Sequence, residues 1–468
     1  MGWHSRMSRH FSFSAILLLA SGLSAAEPAV DRAAADRGYK LLVEKAYLPP
    51  DFDQEVLDAA WKNWPEPLRS QAEKASPEDR RKLAFSRYGL TPRPNDPAKP
   101  LQYVVDDAGN WTMNCFACHG GTVPANKQGP DGKGGTTVWP GAPNSRFALQ
   151  TLTEETRLAK AELGRPFSRM DVGGAFIPLG ATNGTTNAVM FGVVLVGLRD
   201  ADLNFDAKRG VPKMTHHDMD APPWWHFKRK QMLYIDGFAA KGHRGLMQFM
   251  LVRSNGPEKF RGWEDEFRDV FAYISSVEPP KYPYPIDREL VVAGELAFNR
   301  VCADCHGTYG KVGRYPEKLV AIDDVGTDGV RLDALTPAHR DAYGRSWFAN
   351  YGQLDNVTNP GGYVAPPLDG IWASAPFFHN GSVPTLWHVL HPQERPVVWK
   401  RTETGFDQQR VGLEVESLAQ LPADATAGWQ RREYFDTRAF GKSAKGHEFP
   451  DRLTADEKRA VLEYLKSL

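Results

Sequence analysis

The sequence predicts a mainly α-helical protein with long irregular loops, built as two tandem domains of one type. The pentapeptide Cys-x-x-Cys-His occurs twice, as Cys115-Phe116-Ala117-Cys118-His119 and Cys302-Ala303-Asp304-Cys305-His306, and these use all 4 cysteines. A helical pattern from Asp265 to Val277 recurs from Asp456 to Leu468, with identity at Asp265/Asp456, Glu266/Glu457, Arg268/Arg459, Val270/Val461, Tyr273/Tyr464 and Ser276/Ser467. The interval from one helix to the other nearly equals that between the pentapeptides, so motif and helix repeat as one unit. Finally, 42 glycines and 35 prolines in 468 residues favour long loops around few helices.

In chain order, residues 1–26 read as a secretory leader. Arg6 and Arg9 precede an apolar run from Phe11 to Leu23, and Ser24-Ala25-Ala26 supplies small residues for cleavage. The run is too short to span a bilayer. An uncleaved anchor is the alternative, but no later segment is long and apolar enough to cross, so a soluble periplasmic or secreted protein is expected, in a compartment where free thiols oxidise. Lys plus Arg and Asp plus Glu are both 57, and no basic stripe with interleaved aromatics points to nucleic acid.

An N-terminal domain is expected over residues 27–280. It has helical stretches at Val30 to Leu48, Phe52 to Trp64 and Ser76 to Tyr88, and a Gly/Pro-rich loop from Gly120 to Asn144. An apolar, glycine-rich stretch follows at 171–199 and an aromatic one at 222–252. Phe267, Val270, Phe271, Ile274 and Val277 give its last helix one apolar stripe. The prolines of Glu278 to Pro285 forbid helix, which sets a stiff linker at 281–288. The C-terminal domain, 289–468, carries a weakly periodic insertion at 307–370. Its final helix has Val461, Leu462, Leu465 and Leu468 on one face, and Thr454 followed by Glu457 at capping-box spacing.

The pentapeptide carries the chemistry. Two thiols at this spacing can each add to a vinyl group of one porphyrin while the adjacent imidazole binds its iron, so each motif supplies both tether and ligand. A redox dithiol or a zinc site is the alternative for a single C-x-x-C, but no further cysteine completes a tetrahedral site. Two covalent c-type haems are therefore expected, tethered by Cys115, Cys118, Cys302 and Cys305, with His119 and His306 as proximal ligands. Two cytochrome c-type domains in tandem have this appearance.

The sixth coordination position decides between electron transfer and oxidant chemistry. All 10 methionines lie at or before Met250, so the second domain offers only histidine: His339, His379, His388, His391 or His447. His447, just before the final helix, is favoured, with His391 and His379 as alternatives. The corresponding triplet of the first domain is Gly256-Pro257-Glu258. Proline cannot bind iron, so an open N-terminal haem is expected unless Met247, Met250 or His243 reaches it. The segment Pro222 to Phe227, with Trp224 and Trp225, is the expected roof of that pocket, with Gly173-Gly174-Ala175-Phe176 as a close-approach loop. His216, His217 and His226 are candidate acid–base groups, since splitting an O–O bond needs a proton moved between its oxygens.

Two such motifs after a leader resemble the bacterial di-haem cytochrome c peroxidase superfamily, which includes methylamine utilisation-type enzymes and the rubber oxygenases. Ala375-Pro376-Phe377-Phe378-His379-Asn380-Gly381-Ser382-Val383-Pro384-Thr385-Leu386-Trp387 is similar to the superfamily's aromatic-flanked His-Asp/Asn-Gly motif followed by Thr-Leu. It is most similar to that of the rubber-oxygenase-like branch, as are Pro223-Trp224-Trp225 and Gly446-His447-Glu448-Phe449. The resemblance implies peroxide or dioxygen chemistry at the His119 haem and electron transfer at the His306/His447 haem, with His379 near the pair. It also implies a calcium ion between domains, for which Asp323, Asp324 and Asp328 are candidates. Peroxidases of this superfamily commonly place methionine on the high-potential haem. Histidine there should lower the potential.

A haem oxidoreductase is thus expected, peroxidase-like, taking hydrogen peroxide or dioxygen and electrons from a small periplasmic donor protein. The alternatives are a haem dioxygenase of rubber-oxygenase type, a non-catalytic electron-transfer cytochrome, and a gas-binding sensor module.

Overall fold

The computed structural model describes Met1 and residues 31–128, 134–210 and 212–468. Apart from Met1, the expected leader lies outside these residues. What they form is mainly helical, and no helix among them is long and apolar enough to cross a membrane.

Two helix crossings organise the chain. Helix Arg32–Glu44 begins at Asp31, whose carboxylate accepts the Ala34 N–H at 3.1 Å, and it packs on helix Glu264–Ser276. The backbones touch at Gly38, where a Cβ would lie 2.1 Å from the Asp269 carbonyl oxygen and 2.9 Å from the Tyr273 Cβ. Helix Arg288–Val301 crosses the final helix Ala455–Ser467 in the same way. At Gly294 a Cβ would lie 2.0 Å from the Ala460 oxygen and 2.9 Å from the Tyr464 Cβ. Asp269/Ala460 and Tyr273/Tyr464 are corresponding positions of the sequence repeat, so the repeat encodes the surface on which a partner glycine lies.

The expected stripes face inward: Phe267, Val270 and Ile274 are buried in one half, Val461, Leu462 and Leu465 in the other. The final helix opens with the predicted reciprocal cap. Thr454 Oγ1 accepts the Glu457 N–H at 3.2 Å, and Glu457 accepts the Thr454 N–H at 2.8 Å.

Three expectations need correction. The Gly/Pro-rich loop 120–144 contains an antiparallel ribbon, Thr122–Gln128 against Gly134–Val138, because its threonines and valines favour extended chain. The insertion 307–370 does not stay with the C-terminal half. Leu335, Tyr343, Trp347 and Phe348 join the core that holds Phe116, Trp225 and Phe267, so the linker at 281–288 divides the sequence but not the packing. The stretch just before the linker is pinned. Glu278 accepts Trp139 Nε1–H through its carbonyl, and Pro280 accepts Trp372 Nε1–H, each at 3.2 Å. A three-stranded sheet, with Val398–Asp407 between Gly412–Leu418 and Tyr434–Asp436, completes the C-terminal half.

Candidate functional site: two histidine centres joined by one segment

Each pentapeptide is wound as a single helical turn, Phe116–His119 and Ala303–His306. The His119 N–H donates to the Cys115 carbonyl at 3.2 Å, and the His306 N–H to that of Cys302 at 3.0 Å. On one turn, residues three and four apart share a face, so both thiols and the imidazole of each motif point the same way.

One imidazole is aimed by a proline carbonyl. His306 Nδ1 lies 2.9 Å from the Pro366 carbonyl oxygen, so Nδ1 carries the proton and Nε2 keeps its lone pair for a metal. The Pro222 carbonyl lies near His119, but Nδ1 makes no hydrogen bond there. Burial lowers the His119 pKa to about 4, the Pro222 carbonyl opposing it. Sequence reasoning missed both prolines. Their signal was a second repeat, Ala221-Pro222-Pro223 and Ala365-Pro366-Pro367.

Opposite His306 stands His447, with ring centres 6.1 Å apart. Two metal–imidazole bonds of about 2 Å on opposite sides of one ion set ring centres roughly 6 Å apart, so this pair fits an iron between its rings. Burial, then the nearby His306, lowers the His447 pKa to about 3, and its Nδ1 has no partner. The loop is fixed around it. His447 itself has φ +51, and Gly446 (φ +78) lies so close to the Gly326 backbone that a Cβ would meet its carbonyl carbon at 2.2 Å. The His447 N–H donates to Val325 at 2.6 Å, while Arg395 donates to the carbonyls of Ala444 and Gly446 at 2.7 Å each.

The other candidate ligands are engaged elsewhere. His388 Nδ1 meets Thr385 Oγ1 at 2.8 Å, His391 stacks on Trp387 at 3.8 Å, and His339 caps its own helix at Thr336. In the first half, Pro257 opens helix Pro257–Gly262, where its fixed φ and missing N–H suit the first turn. His243 is held by Glu264 at 3.1 Å, and Met247 and Met250 are buried in the core with Phe116 and Trp224.

Trp224 lies against His119. Its ring stacks on that of His119 at 4.9 Å and 27°, backed edge-on by Tyr273 at 6.0 Å. Trp225, fully buried, faces the other way, and a Cβ on Gly370 would lie 3.0 Å from its Nε1. His226 Nε2 is 2.9 Å from the Asp369 carbonyl, and Arg229 pairs with the Asp369 carboxylate at 2.7 Å. Asp369 follows Pro366 by one turn of chain. The segment Asp220 to Arg229 thus runs from the support of His119 to the support of His306. At its start the Asp220 N–H donates to the His379 carbonyl at 2.9 Å, and burial holds the Asp220 carboxyl well above the usual range, beside Cys118.

His379 packs on Tyr363 with ring centres 4.5 Å apart, and burial lowers it to about 3. Its neighbour Asn380 donates to the carbonyls of Gly441 and Ser443, fastening the chain that leads to His447. Gly173 to Phe176 is not a close-approach loop. It ends helix Arg169–Phe176 on a surface groove of about 850 Å³ that also carries Leu158, Phe167 and Val172. Asp323, Asp324 and Asp328 do not converge. Asp328 spends its carboxylate on the N–H groups of Val330 and Ser443, and no cluster of three or more metal-binding side chains occurs among the described residues.

Buried neutral histidines make stability acid-sensitive. Burial lowers His226 to about 3 and His388 to about 4, whereas both titrate near 6.5 in the unfolded chain. Below that pH the unfolded chain binds more protons, so their contribution is complete above pH 6.5 and lost as pH falls, by up to about 1.4 kcal/mol per unit for each. Urea midpoints should drop between pH 7 and pH 5; a midpoint that rises over this window contradicts the assignment.

Residues 362–400, which span Tyr363, Pro366, Asp369 and the His379 motif, match the family described as RoxA-like, cytochrome c-like. That region is cytochrome c-like, and haem is the cofactor it implies. The chain is also 27% identical over 237 residues to the uncharacterized protein y4iM of Sinorhizobium fredii (strain NBRC 101917 / NGR234), covering 42% of this chain and 53% of that protein. To the uncharacterized protein y4iJ of the same strain it is 26% identical over 261 residues, covering 42% of each. The chain thus spans about half the length of the curated relatives it matches.

Proposed function

We propose that this chain is an exported di-haem c-type cytochrome oxidoreductase, peroxidase-like, acting on hydrogen peroxide or dioxygen in its N-terminal half and passing electrons through its C-terminal half. The observation that carries this reading is an asymmetry. His447 faces His306 at 6.1 Å, whereas the equivalent place in the first half is Pro257, the start of a helix. When bound, haem would supply one-electron exchange in the half where two histidines can hold it and oxidant activation in the half where one can.

The residues divide that work. Cys302 and Cys305 would tether one haem, with His306 and His447 as the residues that would hold its iron. Cys115 and Cys118 would tether the other, with His119 as its ligand. Trp224 against His119 and Trp225 against Gly370 would place two consecutive aromatic side chains between the halves. Burial favours the protonated form of the Asp220 carboxyl. A small periplasmic protein is the proposed electron donor.

A dioxygenase of rubber-oxygenase type is the second reading. It is supported by the RoxA-like match at 362–400 and by the apolar groove of Leu158, Phe167, Val172 and Phe176, which suits an apolar organic substrate. Carbon monoxide titration of the reduced holo-protein tests the proposal common to both. One CO per two haems is expected; none, with both haems six-coordinate, leaves only an electron carrier. Peroxide turnover with a reduced dye then separates peroxidase from oxygenase.

A further inference from the structure

Asp236 of the first half and Arg331 and Arg340 of the second form a buried ionic group with one cation too many. Asp236, Arg331 and Arg340 are 1%, 1% and 2% exposed. Arg340 donates to Asp236 Oδ2 from Nη2 at 2.7 Å and from Nε at 3.2 Å, and Arg331 reaches the same oxygen from Nη1 at 3.3 Å. Arg340 spends its other donors on the carbonyls of Leu332 and Leu335. Arg331 does not: Nε and Nη2, the two donors along one edge of its guanidinium, have no partner. An unpaired buried guanidinium edge costs several kcal/mol, and its parallel N–H groups have the geometry that grips a carboxylate through both oxygens.

The place of that edge is defined by its neighbours. Arg331 and His217 are the charges that act on the buried His379 ring, and His217, 2% exposed, also has an unpartnered Nε2. The chain just before Arg331 is the stretch pinned to the His447 loop, through the Val325 carbonyl and the Gly326 backbone. On the other side, His379 is bonded to Asp220, next to Cys118.

We infer that Arg331 binds a haem propionate carboxylate through Nε and Nη2, locking that haem at the joint between the two halves. The inference rests on the di-haem reading above. A carboxylate is the anion that each haem necessarily brings, and its charge balances the surplus guanidinium. Either haem can supply it, and the test distinguishes them.

Arg331→Gln removes the charge and leaves Asp236 with Arg340 as a one-to-one pair, so the fold should persist. Arg331→Lys keeps a charge for Asp236 but loses the two-donor edge, and covers the case in which the first variant fails to fold. Pyridine haemochrome spectra of wild type and variants first count covalent haem. Fewer than two haems in the wild type defeats the di-haem reading itself. With two present, potentiometric titration is expected to show one haem shifted to lower potential in Arg331→Gln, by a tenfold change in its ferric/ferrous ratio or about 59 mV. A smaller shift in the same direction is expected in Arg331→Lys. A shift at the haem that does not bind CO assigns the propionate to the His306 haem, and a shift at the CO-binding haem to that of His119. Unchanged potentials at both haems in whichever variant folds overturn the inference.

Discussion

Replacing His447 by alanine should double the CO bound by the reduced holo-protein. The wild-type C-terminal half offers His447 as the one ring facing His306, and no methionine follows Met250 to replace it. His388, His391 and His339 are committed to Thr385, Trp387 and Thr336 and would have to break those contacts to reach the site. The variant should therefore lose the low-spin ferric signal of one haem and gain a second CO equivalent, while the His119 haem keeps its spectrum. Because His447 sits at φ +51, the substitution leaves a strained backbone position occupied by alanine, and some loss of stability should accompany the spectral change. An unaltered CO stoichiometry would assign the sixth ligand to another histidine.

The substitution Gly294→Val is expected to be the most damaging single change to the fold. Its Cβ would meet the Ala460 carbonyl oxygen at 2.0 Å, a contact with backbone that no rotamer can relieve, so the two helices must separate. Overpacking in a core commonly costs 1 to 3 kcal/mol, and a backbone collision belongs at the upper end or beyond, about 3 kcal/mol or more. Val292→Ala, on the exposed side of the same helix, should stay within about 0.5 kcal/mol. Denaturant midpoints of the two variants measure the contrast. Equal midpoints would mean that the helix crossing contributes little.

Features written in a local code were legible before any coordinates. The apolar stripes and the Thr454/Glu457 cap each depend on residues within a turn or two of one another, and each forms as its spacing implies. His447 was favoured from its place just before the final helix, and its ring faces that of His306. Illegible were the features that join distant segments. Pro222 and Pro366 approach the two imidazoles through backbone carbonyls, which carry no side-chain signature, and only the paired Ala-Pro-Pro hinted at them. Tyr343, Trp347 and Phe348 cross into the other half because large apolar surfaces seek burial irrespective of sequence neighbourhood. The stacking of Trp224 on His119 was not legible for a related reason: composition indicates aromatic packing near a site but not the side from which it approaches. The surplus charge at Arg331 arises from three residues spread over some hundred positions.

Trp224 and Trp225 are consecutive, yet one rests on His119 and the other on Gly370. Consecutive Cα atoms are about 3.8 Å apart across a trans peptide, and that distance is the whole slack between the two supports. Opening of the halves as a clamshell would have to tear this joint, with the pinned Glu278 to Pro280 stretch beside it. The spacing between the two histidine centres should therefore change little while this joint holds.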